Sequence, residues 1–297
     1  MSIYLKLLFA MLVWGGTFTS ARLLGAELEP TISAFLRFLL ASFFMLLLLY
    51  FKKGHLPKIT RGQWLPILGM GLTGIAFYNL LFFYGLVHTE AGRGSLITAT
   101  NPLLTALGAA FIFKEKFTLI RIVGFLLCIG GAILIITKGE LSTLLSDGIG
   151  KGELAFIGCA FSWAAYTLIG RFMSGESNNR LSSLAVIAYA SCIGTVILFF
   201  AALNADIVGS IHSLTINASL NLLYLSLLAT VIGFVWFQDG VKELGAAKAA
   251  VFIYFMPVSA VFWAWLILDE KFTLILAIGA ALVISGIYLV NKKEALE

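Results

Sequence analysis

Aromatic side chains with helical spacing lie inside two long apolar segments of the sequence. Trp14 and Thr17 are three residues apart and Trp14 and Phe18 are four apart, so all three share one face of a helix. Trp163 and Tyr166 repeat the first spacing further along the chain. Such a face could stack on a flat or cationic compound. An interfacial aromatic belt is the alternative, but Trp14 lies about halfway along its segment, whereas belt residues lie near the ends.

Hydrogen-bonding side chains also occur deep within apolar segments, where they must find partners or face a wet cavity. These residues are Tyr78, Asn79, Asn101, Trp236 and Gln238. We take them as candidate substrate-binding residues, together with the aromatic residues above. Bonds between packed helices are the alternative for each one.

Two prolines, Pro102 and Pro257, lie inside apolar segments. A proline in the middle of a helix removes a backbone donor and bends the helix, a feature that transporters use beside a binding site. We therefore expect both prolines to act in gating. A bend that serves only packing is the alternative.

Two charged residues need a separate explanation. Arg37 lies within an apolar segment, so it should pair with a carboxylate or a carbonyl, or extend towards the end of its helix. A structural role of this kind is favoured over direct binding of an anion. Asp239 lies at the end of a segment, where it could bind a proton or a cation. A solvated helix end near Lys242 is the favoured explanation.

The composition indicates an all-α integral membrane protein. Of the 297 residues, 60% are hydrophobic and only 12% are charged, which is about half the charge of a soluble domain. Apolar runs of roughly 20 residues, each able to cross a hydrocarbon core, recur along the whole length. The ten predicted spans are 3–23, 31–51, 64–86, 94–113, 119–137, 154–173, 183–203, 219–238, 249–268 and 273–290.

Several functions are excluded by what the sequence does not contain. It has no HExxH, GxSxG or P-loop motif, and His55, His88 and His212 are too scattered for a metal site. We therefore expect no enzyme, no metal and no cofactor, with an intramembrane enzyme as the weak alternative.

The distribution of basic residues predicts the orientation. Of the 20 Lys and Arg residues, 14 fall on the side of the N-terminus and four on the opposite side. Basic residues are retained on the cytoplasmic side. We therefore expect a multi-pass protein of the cell (inner) membrane with both termini in the cytoplasm. The net charge of +5 then reflects this topology and indicates no nucleic-acid partner.

The sequence contains an internal repeat. KEKFTLI at 114–120 is nearly repeated as DEKFTLI at 269–275, an offset of 155 residues, and Pro102 matches Pro257 at the same offset. Trp14 matches Trp163 at an offset of 149. We therefore divide the chain into a first unit at 1–148 and a second at 149–297.

The number of spans in each unit predicts an inverted arrangement. Because five is odd, the second unit must enter the membrane from the opposite face. Inverted repeats of this kind are a recurring design of secondary transporters, with the substrate site near the midplane between the halves.

The motifs are similar to those of the EamA-type transporters of the drug/metabolite transporter superfamily. The resemblance rests on WGGT at 14–17, NP at 101–102, the EKFT turns and the two five-span halves, and it covers about residues 1–293. It implies a ten-helix carrier with a cavity lined by helices 1, 3, 4, 6, 8 and 9. The second half departs from the pattern, with Met256 in the place of Asn101.

Together these observations predict a secondary-active exporter of small metabolites, such as amino acids or related compounds, or of drugs. Its partners would be a small-molecule substrate and the lipid bilayer. The alternative is a channel-like or lipid-translocating membrane protein. The oligomeric state is left open.

Overall fold

The structure is a computed structural model that describes residues 1–25, 27–88, 97–114, 118–137, 139, 150–175, 181–268 and 273–291. Regular structure in these residues is helical throughout, with no strand. Only a helix satisfies all of its own backbone hydrogen bonds within lipid, so the apolar runs fold in this way. The predicted all-α class is confirmed.

Within the described ranges, helical structure lies at each of the ten predicted spans. The continuous helices are α1 Ile3–Gly25, α2 Pro30–Lys53, α4 Asn101–Phe113, α5 Leu119–Thr137, α6 Lys151–Gly175, α7 Ser183–Ala202 and α10 Leu274–Asn291. Six described helices are long and apolar enough to cross a membrane, and four shorter ones are apolar. A further short helix, Ile207–His212, precedes the eighth span.

The other three spans are built from segments. Helix α3 consists of Arg61–Met70, a π-helical segment Gly71–Phe77, and Tyr78–His88. Helix α8 consists of Ile216–Leu223, a π-helical segment Tyr224–Ile232, and Gly233–Leu244. Helix α9 consists of Ala246–Ala250, a 3₁₀ segment Val251–Tyr254, and Phe255–Leu268.

Helices α5 and α10 pack along each other through glycines, which let two helices approach closely. A Cβ built on Gly131 would lie 2.6 Å from the carbonyl oxygen of Gly279, and one on Gly124 would lie 2.9 Å from that of Gly286. Cys128 strengthens the contact by donating to the carbonyl of Val283. The pair therefore depends on backbones that touch.

The remaining helices form the centre of the bundle. Helix α1 packs against α8 and α9, α3 against α6, and α2 against α7 and the π segment of α8. We call the end of the bundle at which α1 begins the N-side, and the opposite end the far side. The short connection of α8 to α9 at Gly245, where φ is 89°, lies on the N-side.

Candidate functional site

The two π-helical segments lie at matched positions in the sequence repeat. At the offset of 155 residues, 71–77 corresponds to 226–232, which lies within the second π segment. A π turn widens the helix and breaks the regular i to i−4 ladder, and such turns are frequent at functional sites. Both halves therefore carry the same backbone irregularity near the middle of a span.

A tryptophan from the other half of the sequence binds to the second π segment. Trp14 donates its Nε1 hydrogen to the carbonyl oxygen of Ala229 at 2.7 Å. Gly233 leaves the space for this contact, because a Cβ at that position would overlap the Trp14 indole nitrogen. The π segment of α8 is thus joined to α1 by a buried hydrogen bond.

The equivalent arrangement on the first π segment is different. Trp163 corresponds to Trp14, but Tyr78 occupies the place of Gly233, and its ring centroid lies 5.3 Å from that of Trp163. The Nε1 atom of Trp163 is buried and has no hydrogen-bond partner among the described residues. Of these two tryptophans, which match in the sequence repeat, only Trp14 forms a hydrogen bond through its indole nitrogen with a described residue.

Six aromatic side chains pack together between the two halves, and we call them the aromatic cluster: Trp14, Tyr78, Trp163, Tyr166, Phe234 and Phe237. The rings of Trp14 and Trp163 meet edge to face, with centroids 5.4 Å apart and an interplanar angle of 83°. Both tryptophans are 5% exposed, and Tyr166 is fully buried. In this conformation the rings fill the position at which the resemblance implies a cavity.

Two of the other predicted residues on these helices bond within their own helix. Thr17 donates to the carbonyl of Trp14 at 2.6 Å, and Asn79 donates to the carbonyl of Ile75 at 2.7 Å. The side chain of Phe18 lies outside the described part of the chain. A substrate-binding role for these three residues stays a prediction.

Both prolines lie inside their predicted spans, in the first turn of an α-helical segment that follows an interruption of the regular helix. Helix α4 begins at Asn101 after a turn at 99–100, so Pro102 lies in its first turn. Pro257 likewise lies in the first turn of Phe255–Leu268, after the 3₁₀ segment. A first-turn residue needs no backbone N–H, so proline is tolerated there.

Asn101, the first residue of α4, has a buried polar atom without a described partner. Its side chain is 4% exposed, and its Oδ1 atom has no partner among the described residues. A buried amide oxygen without a donor is unfavourable by about 1–3 kcal/mol, so it is available to a ligand. The role of Asn101 in binding and of the prolines in gating stays a prediction.

The two predicted residues of α8 lie apart from the aromatic cluster. Trp236 packs edge to face against Phe9, with centroids 5.3 Å apart, and Phe9 is 40% exposed on the outside of the bundle. Gln238 is buried and donates to the carbonyl of Gly170 at 2.9 Å and to Ser174 Oγ at 3.3 Å. In the structure, Gln238 therefore joins α8 to α6 through hydrogen bonds.

The N-side of the bundle is closed by further contacts between α1 and α8. Lys6 Nζ lies 3.1 Å from Asp239 Oδ2, with both side chains about 30% exposed. Below this pair Leu7 packs against Gly240, where an added Cβ would lie 2.6 and 2.9 Å from the two methyl groups of Leu7. Asp239, expected to be solvated, thus forms an ion pair across the interface. The N-side half is packed beneath the aromatic cluster.

Arg37 has a partner that sequence reasoning did not predict. Its Nε donates to Thr230 Oγ1 at 2.8 Å, where a carboxylate or carbonyl was expected. Thr230 lies in the second π segment and donates in turn to the carbonyl of Leu225 at 2.8 Å. The guanidinium also lies over the ring of Phe38, 5.2 Å from its centroid.

Sequence reasoning also missed Phe234 and Phe237. They are three residues apart, as are Trp14 and Thr17, and Phe237 corresponds to Phe82 at the repeat offset. That spacing could have identified them. The signal is weak, because phenylalanine is common in apolar spans.

A separate apolar cleft of about 430 Å³ lies between α3, α4 and α6 in the N-side half. It is lined by Leu65, Pro66, Gly69, Ile112, Phe113, Leu168, Ile169 and Phe172. All of these residues are apolar, so the cleft offers no group that could orient a polar ligand. Within the described ranges, no group of three His, Cys, Asp or Glu side chains could hold a metal ion.

Comparison with known families gives a match over both halves. The profile of the EamA-like transporter family matches residues 1–137 and 150–292. The two matched regions meet near the boundary of the sequence repeat.

Individual proteins are similar over most of the chain. "Uncharacterized transporter YyaM" from Bacillus subtilis is 30% identical over 97% of this chain and 92% of its own length. A protein of Streptantibioticus cattleyicolor named "Probable terminal-alkyne amino-acid exporter" is 29% identical over 78% of this chain and 75% of its own. A crystal structure superimposes with a TM-score of 0.78 over 98% of each chain, at 19% identity, which supports the fold alone.

Proposed function

This chain belongs to the EamA-like transporter family, and we propose that it is a secondary-active exporter that works by alternating access. The family and the apolar helices make it a multi-pass membrane transporter. The proposed cargo is a small metabolite, such as an amino acid or a related compound, or a drug. A channel-like or lipid-translocating protein is the alternative.

The matched irregularities of the two halves carry this proposal. Both halves have a π segment at the same repeat position, and both have a helix break just before the matched prolines Pro102 and Pro257. We propose that units 1–148 and 149–297 are inverted copies. Two inverted copies can exchange conformations, so the inward-open and outward-open states come close in energy.

The closed N-side defines the proposed state of this structure. The Lys6–Asp239 pair and the Leu7–Gly240 contact close α1 against α8 on that side. With the positive-inside orientation, the N-side is cytoplasmic and both termini lie in the cytoplasm of the cell. The structure would then be a state closed towards the cytoplasm, and cargo would enter after the N-side contacts separate.

An amino-acid-like cargo is supported by a relative and by the chemistry of the site. The relative from Streptantibioticus is named as an exporter of an amino acid. The aromatic cluster offers ring faces that attract an ammonium group. The unsatisfied Nε1 of Trp163 and Oδ1 of Asn101 offer one donor and one acceptor to a ligand.

The lipid-translocating alternative has one observation in its favour, the apolar cleft. An acyl chain would fit a cleft lined only by apolar residues. A lipid headgroup needs polar groups along its path, and the lining residues supply none. The carrier is therefore the better-supported proposal.

Counterflow in proteoliposomes tests the carrier mechanism. Vesicles preloaded with one unlabelled L-amino acid should take up the same labelled amino acid faster than empty vesicles, because a carrier returns faster when loaded. Each of the standard L-amino acids would be assayed in turn. Uptake without this acceleration would indicate a channel, and no uptake of any amino acid would exclude this cargo class.

A matched pair of tryptophan variants links the flux to the proposed site. Trp163→Ala should weaken cargo binding by about 1–2 kcal/mol, because one stacking face is lost. Trp64→Ala is the control, since Trp64 is 52% exposed near the N-side end of α3. Equal effects of the two variants per folded molecule would contradict a binding role for the cluster.

A further inference from the structure

The guanidinium of Arg37 is held from one side only. Its Nε is bound to Thr230 Oγ1 at 2.8 Å and its plane lies near the Phe38 ring. Within the described part of the chain, the two terminal nitrogens of Arg37 have no hydrogen-bond partner, and no carboxylate lies within ion-pair distance. The arginine fork therefore keeps donors and a net charge that the described protein groups do not satisfy.

The fold does not require a charge at this position. At the offset of 149 residues that relates Trp14 to Trp163, Arg37 corresponds to Val186. The register is supported by the next turn, where Ala41 and Ser42 correspond to an Ala and a Ser in α7. Val186 is 3% exposed and packs as an ordinary apolar residue. One half of the molecule thus forms the same helix without an arginine.

Arg37 contacts two residues, Thr230 and Phe38, that lie beside the aromatic cluster. Its partner Thr230 is the neighbour of Ala229, whose carbonyl accepts from Trp14. Phe38, beneath the guanidinium, lies 6.1 Å from the ring of Phe234 in the cluster. A ligand that stacks on the cluster could therefore reach the arginine with an anionic end.

We propose that Arg37 is a cargo-binding residue that pairs with an anionic group of the transported compound, above all a carboxylate. The planar fork of arginine matches a carboxylate through two parallel N–H donors, which an ammonium cannot do. Thr230 and Phe38 fix the orientation of the fork before the ligand arrives. This inference rests on the proposed transport function only for the statement that the bound anion is cargo.

The test compares compounds that carry a carboxylate with matched compounds that lack it, on the purified full-length protein. The probes are each standard L-amino acid, its N-acetyl derivative and its carboxamide, and binding is measured by thermal stabilisation and by counterflow. The variants are Arg37→Gln and Arg37→Lys. Arg61→Gln is the control of equal charge, since Arg61 is exposed at the start of α3.

Wild type should bind at least one acid at least about tenfold more tightly than its carboxamide, as expected for a charge-assisted pair. Arg37→Gln should remove this preference while the carboxamide binds as before. Arg37→Lys should retain part of it, and Arg61→Gln should match wild type. Without ligand, Arg37→Gln should be at least as stable as wild type, because a desolvated charge is gone.

Three outcomes would overturn the inference. Wild type could bind acids and carboxamides alike, or bind none of the acids. Arg37→Gln could weaken both kinds of probe equally and lower the stability without ligand, which would make Arg37 structural. Acid-selective binding without counterflow would instead contradict the proposed transport function and the statement that the anion is cargo, while binding of the anion by Arg37 would stand, so the two failures are distinguishable.

Discussion

Because only one of the two matched tryptophans forms a hydrogen bond through its Nε1 with a described residue, Trp14→Phe and Trp163→Phe should shift the population of the N-side-open state in opposite directions. Trp14 Nε1 donates to the Ala229 carbonyl at 2.7 Å in this N-side-closed state, whereas Trp163 Nε1 is buried without a described partner. If the halves exchange conformations, the roles exchange too, and Trp163 would donate to the carbonyl of Gly74. Each substitution then removes a bond from only one state.

The expected magnitude follows from one hydrogen bond. The loss of a buried bond to a neutral acceptor is worth about 1 kcal/mol, a factor of about five in the ratio of the two states. Trp14→Phe should therefore raise the N-side-open population about fivefold, and Trp163→Phe should lower it by a similar factor. Both variants lose the same side-chain volume at positions that are each 5% exposed, so the packing effect largely cancels in the comparison.

A cysteine on the N-side reports the population. Ala247 is 2% exposed in this state, at the beginning of α9, and Ala247→Cys should react with a thiol reagent only when the N-side opens. Its labelling rate should increase in Trp14→Phe and decrease in Trp163→Phe. Labelling of the protein without Ala247→Cys gives the background from the native cysteines. Trp64→Phe is the control for replacing an exposed tryptophan outside the aromatic cluster. Shifts of the same sign in both variants would refute the exchange of roles.

Three further predictions follow from the topology and the helix contacts. With a cytoplasmic N-side, a cysteine at Lys292 should resist an impermeant reagent in intact cells and one at Ser146 should react; the reverse pattern would invert the orientation. Gly131→Ala should lower the thermal stability clearly, because its Cβ would lie 2.6 Å from a carbonyl oxygen of α10, whereas Gly130→Ala, with nothing within 4 Å, should not. Asp239→Asn should shift the free-energy difference between the N-side-closed and N-side-open states by less than about 1 kcal/mol, because the ion pair is partly exposed. High salt should remove this difference between the variant and wild type.

The spans could be predicted from sequence because a membrane imposes length and polarity on each helix. The glycine contact of α5 and α10 was predictable for a similar reason, since only small residues let two backbones touch. The inward face of a helix was less predictable, because lipid and protein interior are equally apolar. Trp14 and Trp236 look alike in sequence, yet one lies in the cluster and the other packs against Phe9 near the outside.

The π segments could not be predicted from sequence for a different reason. GLTGIAF at 71–77 and the matching SLLATVI at 226–232 share little beyond apolar character, and neither contains a proline. The π segment of α8 is in contact with groups from distant parts of the chain, the indole of Trp14 and the guanidinium of Arg37. Such contacts have no signature in the local sequence.

The two halves share their backbone irregularities but not the side chains around them. In the proposed alternating-access mechanism, the matched π segments would let the two halves exchange backbone conformations. Tyr78 against Gly233 and Arg37 against Val186 break the equivalence of the halves at the centre of the bundle. A ligand with different ends would bind such a site in one orientation, because only one half offers the arginine. Symmetry of the backbone would then serve the conformational change, and asymmetry of the side chains would select the cargo.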